Sequence, residues 1–288
     1  MSVDVLQDKI RKLKCPIIVD FSVLPEHIPQ AVAEGKELPR AYARFCRELM
    51  EGLKGVVPAV RFSFDQFALM GALVELTELM QEAARLGYYV ILDGPAVSSG
   101  WAAERAAALF GPYSVYPCDA MILDPYAGSD VIKTFVPACK EGKAVFFAVR
   151  LPNRSAAELQ DLMTGSRLVH LAAADLVNRY AETVYGKSGY SHMGVLTAAT
   201  NANAVMGLRN KYKRMFLLVD GLDYPGGNGK ICSYGFDKFG HGAAISVGPA
   251  VTAAWMAEEG SDGSDYVRQA VQAAERIRNN LTRYFTIL

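Results

Sequence analysis

Eight short apolar runs rich in Val, Ile, Leu and Phe recur along the chain, at 16–21, 56–62, 88–93, 119–124, 144–150, 193–198, 215–220 and 242–247. Continuous apolar runs of this length predict strands covered on both faces. Between most of them, apolar residues fall at helical spacing, near 40–53, 66–86, 100–110, 129–141, 155–186, 201–212 and 263–284. Alternating strands and helices predict a parallel sheet, and eight such units predict closure into an α/β fold, a (β/α)8 (TIM) barrel. The competing arrangement is an open doubly wound sheet; no Gly-x-Gly-x-x-Gly follows the first run, which weighs against it. No charge block or Pro/Ser-rich linker divides the chain, so residues 1–288 read as a single domain. The longest loop-like stretch, 221–241, follows the seventh run, where barrels often build a phosphate site.

Composition narrows the partners. Lys plus Arg total 30 and Asp plus Glu total 30, so the formal net charge is zero. That balance gives no argument for nucleic acid or an anionic membrane as partner. The cysteine count is 5, an odd number, and there is no Cys-x-x-Cys. A disulfide or zinc framework is not expected, and a reducing, cytoplasmic setting fits. The first residues lack the apolar segment of a signal peptide, and no apolar run is long enough to span a bilayer.

Chemistry in such barrels sits at the C-terminal ends of the strands. Here those ends carry Asp20 and Ser22, Arg61, Asp93, Asp124, Arg150, Thr200, Asp220 and Asp223, and Ser246. Charged groups ending apolar strands are costly unless paired or wet, so together they mark a candidate site. The plain alternative for any one Asp is a helix cap or turn. Five acids converging on a divalent cation is the competing reading; neutralisation by Arg61 and Arg150 is the preferred one, and no metal or cofactor is expected. Of the four histidines, His170 reads as structural or exposed, and His241, beside the last strand, could reach the mouth.

Read in order, these strand ends carry a family pattern. DPYAGSDVIKTF at 124–135, FFAVRLPNRSAAELQDL at 146–162, GVLTAAT at 194–200, VVPAVRFSFDQFALMG at 56–71 and LVDGLDYPGG at 218–227 match it in order across nearly the whole chain. The chain resembles the longer bacterial branch of the orotidine 5'-phosphate decarboxylase family, which belongs to pyrimidine biosynthesis. The resemblance implies a lyase fold with no cofactor, usually a homodimer, and a Lys-Asp-Lys-Asp catalytic network.

The same resemblance implies that this network is degenerate. Its first lysine falls on Arg61 and its first aspartate on Asp93. The second lysine falls on Pro95 and the second aspartate, which reaches a neighbouring subunit, on Ser98. The family's aspartate after the first strand falls on Ser22. Its loop glutamine falls on Pro225 and its phosphate-gripping arginine on Pro249. Ligand-binding positions carried over are Ser22, Asp124, Asn153, Thr200, Gly226 and Gly227. Proline has neither a proton to give nor a main-chain N–H, and a guanidinium does not shed its proton at working pH. The expectation is a family member that does not decarboxylate and instead holds a small molecule or nucleotide at the mouth, or regulates a partner. The alternatives are an enzyme of altered chemistry using Asp93, Arg61 and the other acids, and a conventional decarboxylase with relocated groups.

Overall fold

All eight predicted runs are strands: β1 (Ile17–Asp20), β2 (Ala59–Ser63), β3 (Tyr89–Asp93), β4 (Ala120–Leu123), β5 (Ala144–Ala148), β6 (Met193–Ala198), β7 (Leu217–Asp220) and β8 (Ala243–Val247). In the computed structural model, which describes residues 2–288, they pair in parallel around a closed barrel in which β1 bonds to both β2 and β8. The chain is a single-domain (β/α)8 barrel, as the alternation predicts.

Strand side chains alternate between the barrel interior and the helical layer. Ile18, Ala59, Tyr89, Ile91, Ala120, Ile122, Ala144, Phe146, Leu196, Phe216, Leu218 and Ala244 form one buried interior cluster. Val19, Val60, Phe62, Val90, Leu92, Val145 and Phe147, of opposite parity, join the core beneath the helices. Gly194 sits where the interior is tight: a Cβ there would lie 2.4 Å from the Phe216 carbonyl and 3.0 Å from the Phe146 ring.

The barrel floor is closed by a helix, Val3–Leu13, that the apolar runs do not announce. Its Val3, Leu6 and Ile10 lie on one face, fully buried against the interior cluster. Asp4 ties this helix to the wall by accepting the main-chain N–H groups of Lys187 at 3.0 Å and Ser188 at 2.7 Å.

Several helical expectations are corrected by local breaks. The stretch 66–86 is two helices, Phe64–Leu69 and Leu73–Leu86, interrupted at Gly71, whose φ of +66° no helix accommodates. The stretch 129–141 divides into Ser129–Thr134 and Val136–Lys140. Residues 155–186 are not continuously helical: Met163–Thr164 and Arg167–Leu168 form a small hairpin, and the long helix is Val169–Ala181. Apolar spacing alone did not register the turn at Gly165.

Candidate functional site at the barrel mouth

One alternation step above the apolar interior, the same parity delivers polar side chains. Asp20 follows Ile18, Arg61 follows Ala59, Asp93 follows Ile91, Asp220 follows Leu218, and Ser246 follows Ala244. Backbone register sets Asp20 directly beside Arg61 on adjacent strands. Five strands therefore contribute one polar layer to the C-terminal mouth, where barrels carry their chemistry.

Arg61 is the hub of this layer. Its guanidinium lies 3.3 Å from Asp20, 3.2 Å from Asp220 and 3.0 Å from the Ser246 hydroxyl, and its Nε donates to Asp93 at 3.1 Å. A second guanidinium nitrogen also pairs with Asp93. The Arg61 side chain is only 10% exposed and those of Asp20 and Asp220 only 14% and 16%, so the cluster is largely shielded from water. Burial acts to lower the Arg61 pKa, but Asp20, Asp93 and Asp220 outweigh it and hold the guanidinium well above its ordinary range. Burial pushes the Asp20 carboxyl up; Arg61 offsets part of this, while Asp220 and Asp93 push it further up. Three carboxylates share one cation.

Above the cluster opens a cavity of about 530 Å³ lined by Asp20, Ser22, Leu24, His27, Arg61, Asp220, Asp223, Tyr224, Pro225, Gly248 and Pro249. Its size lies within the range of small-molecule sites. None of these residues is a lysine, and Arg61 is the only arginine. Burial keeps His27 below its usual pKa and so favours the neutral ring. Tyr224 is pushed up by burial and by the nearby Asp220, Asp223 and Asp20. Asp223, in the loop after β7, accepts the main-chain N–H of Gly248 at 2.9 Å and of Ala250 at 3.3 Å, just beyond β8.

The structure brings together some of the expected site residues and disperses others. Asp93 and Arg61 meet. Ser22 lines the cavity, donating its N–H to Asp20 at 2.9 Å. Asp20, also expected at this strand end, lines the cavity beside it. Asp124 is exposed and accepts the N–H of Tyr126 at 2.7 Å, which is turn chemistry. Asn153 is exposed and bonds Ser155, while Thr200 donates to the Pro152 carbonyl at 3.1 Å and joins two loops. Gly226 and Gly227 do not line the cavity. A Cβ on Gly227 would lie 2.1 Å from the Gly221 carbonyl, so that glycine serves close packing of the loop. Pro95 and exposed Ser98 lie on the loop after β3.

His241 is at the opposite end of the barrel, preceding β8, with its Nε2 3.2 Å from the Leu288 carbonyl. His170 is buried, its Nδ1 2.8 Å from the Gln160 carbonyl and 3.2 Å from Asp161. Arg150 leaves the mouth to make a two-pronged pair with Asp161, both contacts at 3.0 Å. No grouping of three or more potential metal ligands occurs among the described residues. Sequence reading missed Leu24, His27 and Tyr224 as wall residues. They sit on loops, and loop paths carry no periodic signal.

The fold and the polar layer define a (β/α)8 barrel with its site at the C-terminal strand ends. No protein-family model matches the chain. It is 28% identical over 263 residues to the orotidine 5'-phosphate decarboxylase of Rhodopirellula baltica, covering 87% of each chain. It is 26% identical over 300 residues to that of Caldicellulosiruptor bescii, covering 96% of this chain and 97% of the relative. Among solved structures, a putative orotidine 5'-phosphate decarboxylase from Streptomyces avermitilis superposes with a TM-score of 0.77 at 21% identity, over 99% of this chain and 97% of that one. A putative orotidine-monophosphate decarboxylase from Toxoplasma gondii gives 0.79 at 18% identity over 98% of both, a likeness of fold. Over nearly its whole length the chain is similar to orotidine 5'-phosphate decarboxylases, enzymes of pyrimidine nucleotide biosynthesis. No helix among the described residues is long and apolar enough to cross a membrane.

Proposed function

We propose that this chain is a non-decarboxylating member of its family that holds a small ligand at the barrel mouth. The observation that carries this reading is the state of Arg61. The only cation lining the cavity is already engaged by Asp20, Asp93, Asp220 and Ser246. Decarboxylation of orotidine 5'-phosphate leaves electron density on a ring carbon that needs a cation and a proton donor within about 3 Å. Pro95 supplies neither, and Arg61 keeps its proton.

The substrate is itself rich in negative charge, carrying a carboxylate and a phosphate. The cavity offers it Asp20, Asp220 and Asp223. Like charges in a shielded cavity repel more strongly than in water.

The test is UMP formation from orotidine 5'-phosphate by the purified protein. The expected outcome is no turnover above the uncatalysed background. Turnover of about one per second, within the ordinary enzyme range, overturns the proposal and restores a conventional decarboxylase with relocated groups, the reading that the relatives' names favour. A second reading, altered chemistry on the same scaffold, is favoured by Asp20, whose raised pKa beside Arg61 suits proton transfer.

The assembly proposed is a homodimer. Leu69 and Trp101, both well exposed on the helices after β2 and β3, support a covered face there. Light scattering on the purified protein checks it, and a monomer at micromolar concentration removes it.

A further inference from the structure

We infer that the mouth cavity takes a phosphate-free nucleoside, and that Asp223 is the residue that turns the phosphorylated form away. This rests on the ligand-holding reading above and names its ligand class. Barrels commonly receive a phosphate on the loops after β7 and β8. In this chain several main-chain donors of those loops are already engaged. Gly248 and Ala250 give their N–H groups to the Asp223 carboxylate. Gly221 gives its N–H to Asp220 at 2.9 Å, and Gly227 to the Tyr224 carbonyl at 2.9 Å. Pro225 and Pro249, both on the cavity wall, have no N–H to give.

Asp223 thus places a fixed carboxylate where an incoming phosphate would have to sit. No second arginine or lysine lines this cavity to compensate it, and Arg61 is held by Asp20, Asp93 and Asp220. A dianion entering here displaces an internal anion or lies against it.

The remaining surface suits an uncharged, donor-rich molecule. Asp20 and Asp220 each present carboxylate oxygens with lone pairs beyond those used by Arg61 and by the N–H groups of Ser22 and Gly221. Sugar hydroxyls are donors of that kind. Leu24, Pro225 and Pro249 give the cavity an apolar wall for the face of a base. Its volume of about 530 Å³ accommodates a nucleoside.

The experiment is calorimetric titration of the full chain with uridine and with UMP at low ionic strength, for wild type and Asp223→Asn. Asparagine keeps the size and the acceptor oxygen but removes the charge. Uridine is expected to bind, with UMP at least about tenfold weaker, an order set by like-charge repulsion. Asp223→Asn is expected to bring UMP within about threefold of uridine, since the charge facing the phosphate is gone while Asp20 and Asp220 stay paired with Arg61. No uridine binding, UMP binding as tightly as uridine to wild type, or an unchanged ratio in the variant overturns the inference. If Asp223→Asn does not fold, added salt decides on wild type: screening narrows the gap if repulsion causes it, and an unchanged gap overturns the inference. UMP production from orotidine 5'-phosphate by the same preparation would mark failure of the underlying reading instead.

Discussion

The guanidinium of Arg61, on β2, reaches the carboxylate of Asp220, on β7, at 3.2 Å. The two residues are 159 positions apart in the chain. Their meeting depends on both strands presenting the same face to the interior at the same height. With Asp20 and Asp93 added, Arg61 becomes the counter-ion of the whole mouth.

Removing that counter-ion is expected to be severe. Arg61→Met leaves Asp20, Asp93 and Asp220 facing one another in a shielded site. Urea unfolding at neutral pH is expected to show a loss of about 3–5 kcal/mol, the usual cost of stranding buried charge. Part of the loss is expected to return in mild acid as Asp20, whose carboxyl is already pushed up, takes up a proton. A variant as stable as wild type at pH 7 contradicts the hub role.

Asp4 gives a pH signature at the other end of the barrel. Burial pushes its carboxyl up, but hydrogen bonds from Ser188 and Lys187 outweigh this and hold it at about 2, below the ordinary 3.8. A depressed carboxyl stabilises the fold fully above the ordinary value and loses that contribution as pH falls towards about 2. The stability gap between wild type and Asp4→Asn is therefore expected to be constant near neutrality and to close across that window. Thermal melts from pH 6 down to the acid limit measure it. Asp20 acts in the opposite sense: its raised pKa makes ionisation at the mouth unfavourable, so its contribution falls as pH rises through the raised value.

Gly194 tests packing inside the barrel. Its missing Cβ would strike the Phe216 carbonyl, which is main chain, and press on the Phe146 ring. Gly194→Ala is expected to cost about 1–3 kcal/mol, the range for overpacking a close-packed interior. A thermal midpoint unchanged from wild type would show that β6 and β7 yield without penalty.

Asp161 anchors the segment after β5. It holds Arg150 with two hydrogen bonds and receives a third from Asn201 at 3.3 Å. The Arg150 side chain is 6% exposed, so Asp161→Ala strands a buried cation. The expected loss is about 3 kcal/mol, and amide exchange should rise first in residues 151–168. Uniform exchange across the barrel would show that the network is global rather than local.

Fold class was legible in the sequence because each barrel strand is buried on both faces and must be apolar through its length, as in VILD at 90–93 or LLVD at 217–220. The floor helix was not. Val3, Leu6 and Ile10 form an apolar stripe too thin to stand out among charged residues, and its meaning comes from the open barrel end that it covers. Breaks at Gly71 and Gly165 were invisible to periodicity, which counts apolar residues and not backbone angles.

At the site, sequence determined which residue types end the strands: Asp20, Arg61, Asp93, Asp220 and Ser246, with no lysine in the position of Pro95. Tertiary structure alone decided which of them meet. Strand parity and register send those five inward to one layer, while Asp124 turns to Tyr126 and Arg150 to Asp161. It also decided that Asp223 would fill the N–H groups beyond β8. A sequence lists charges in order along a line, whereas closure of the barrel sets which of them share the same low-dielectric space, and there a paired charge and an unpaired one differ by several kcal/mol.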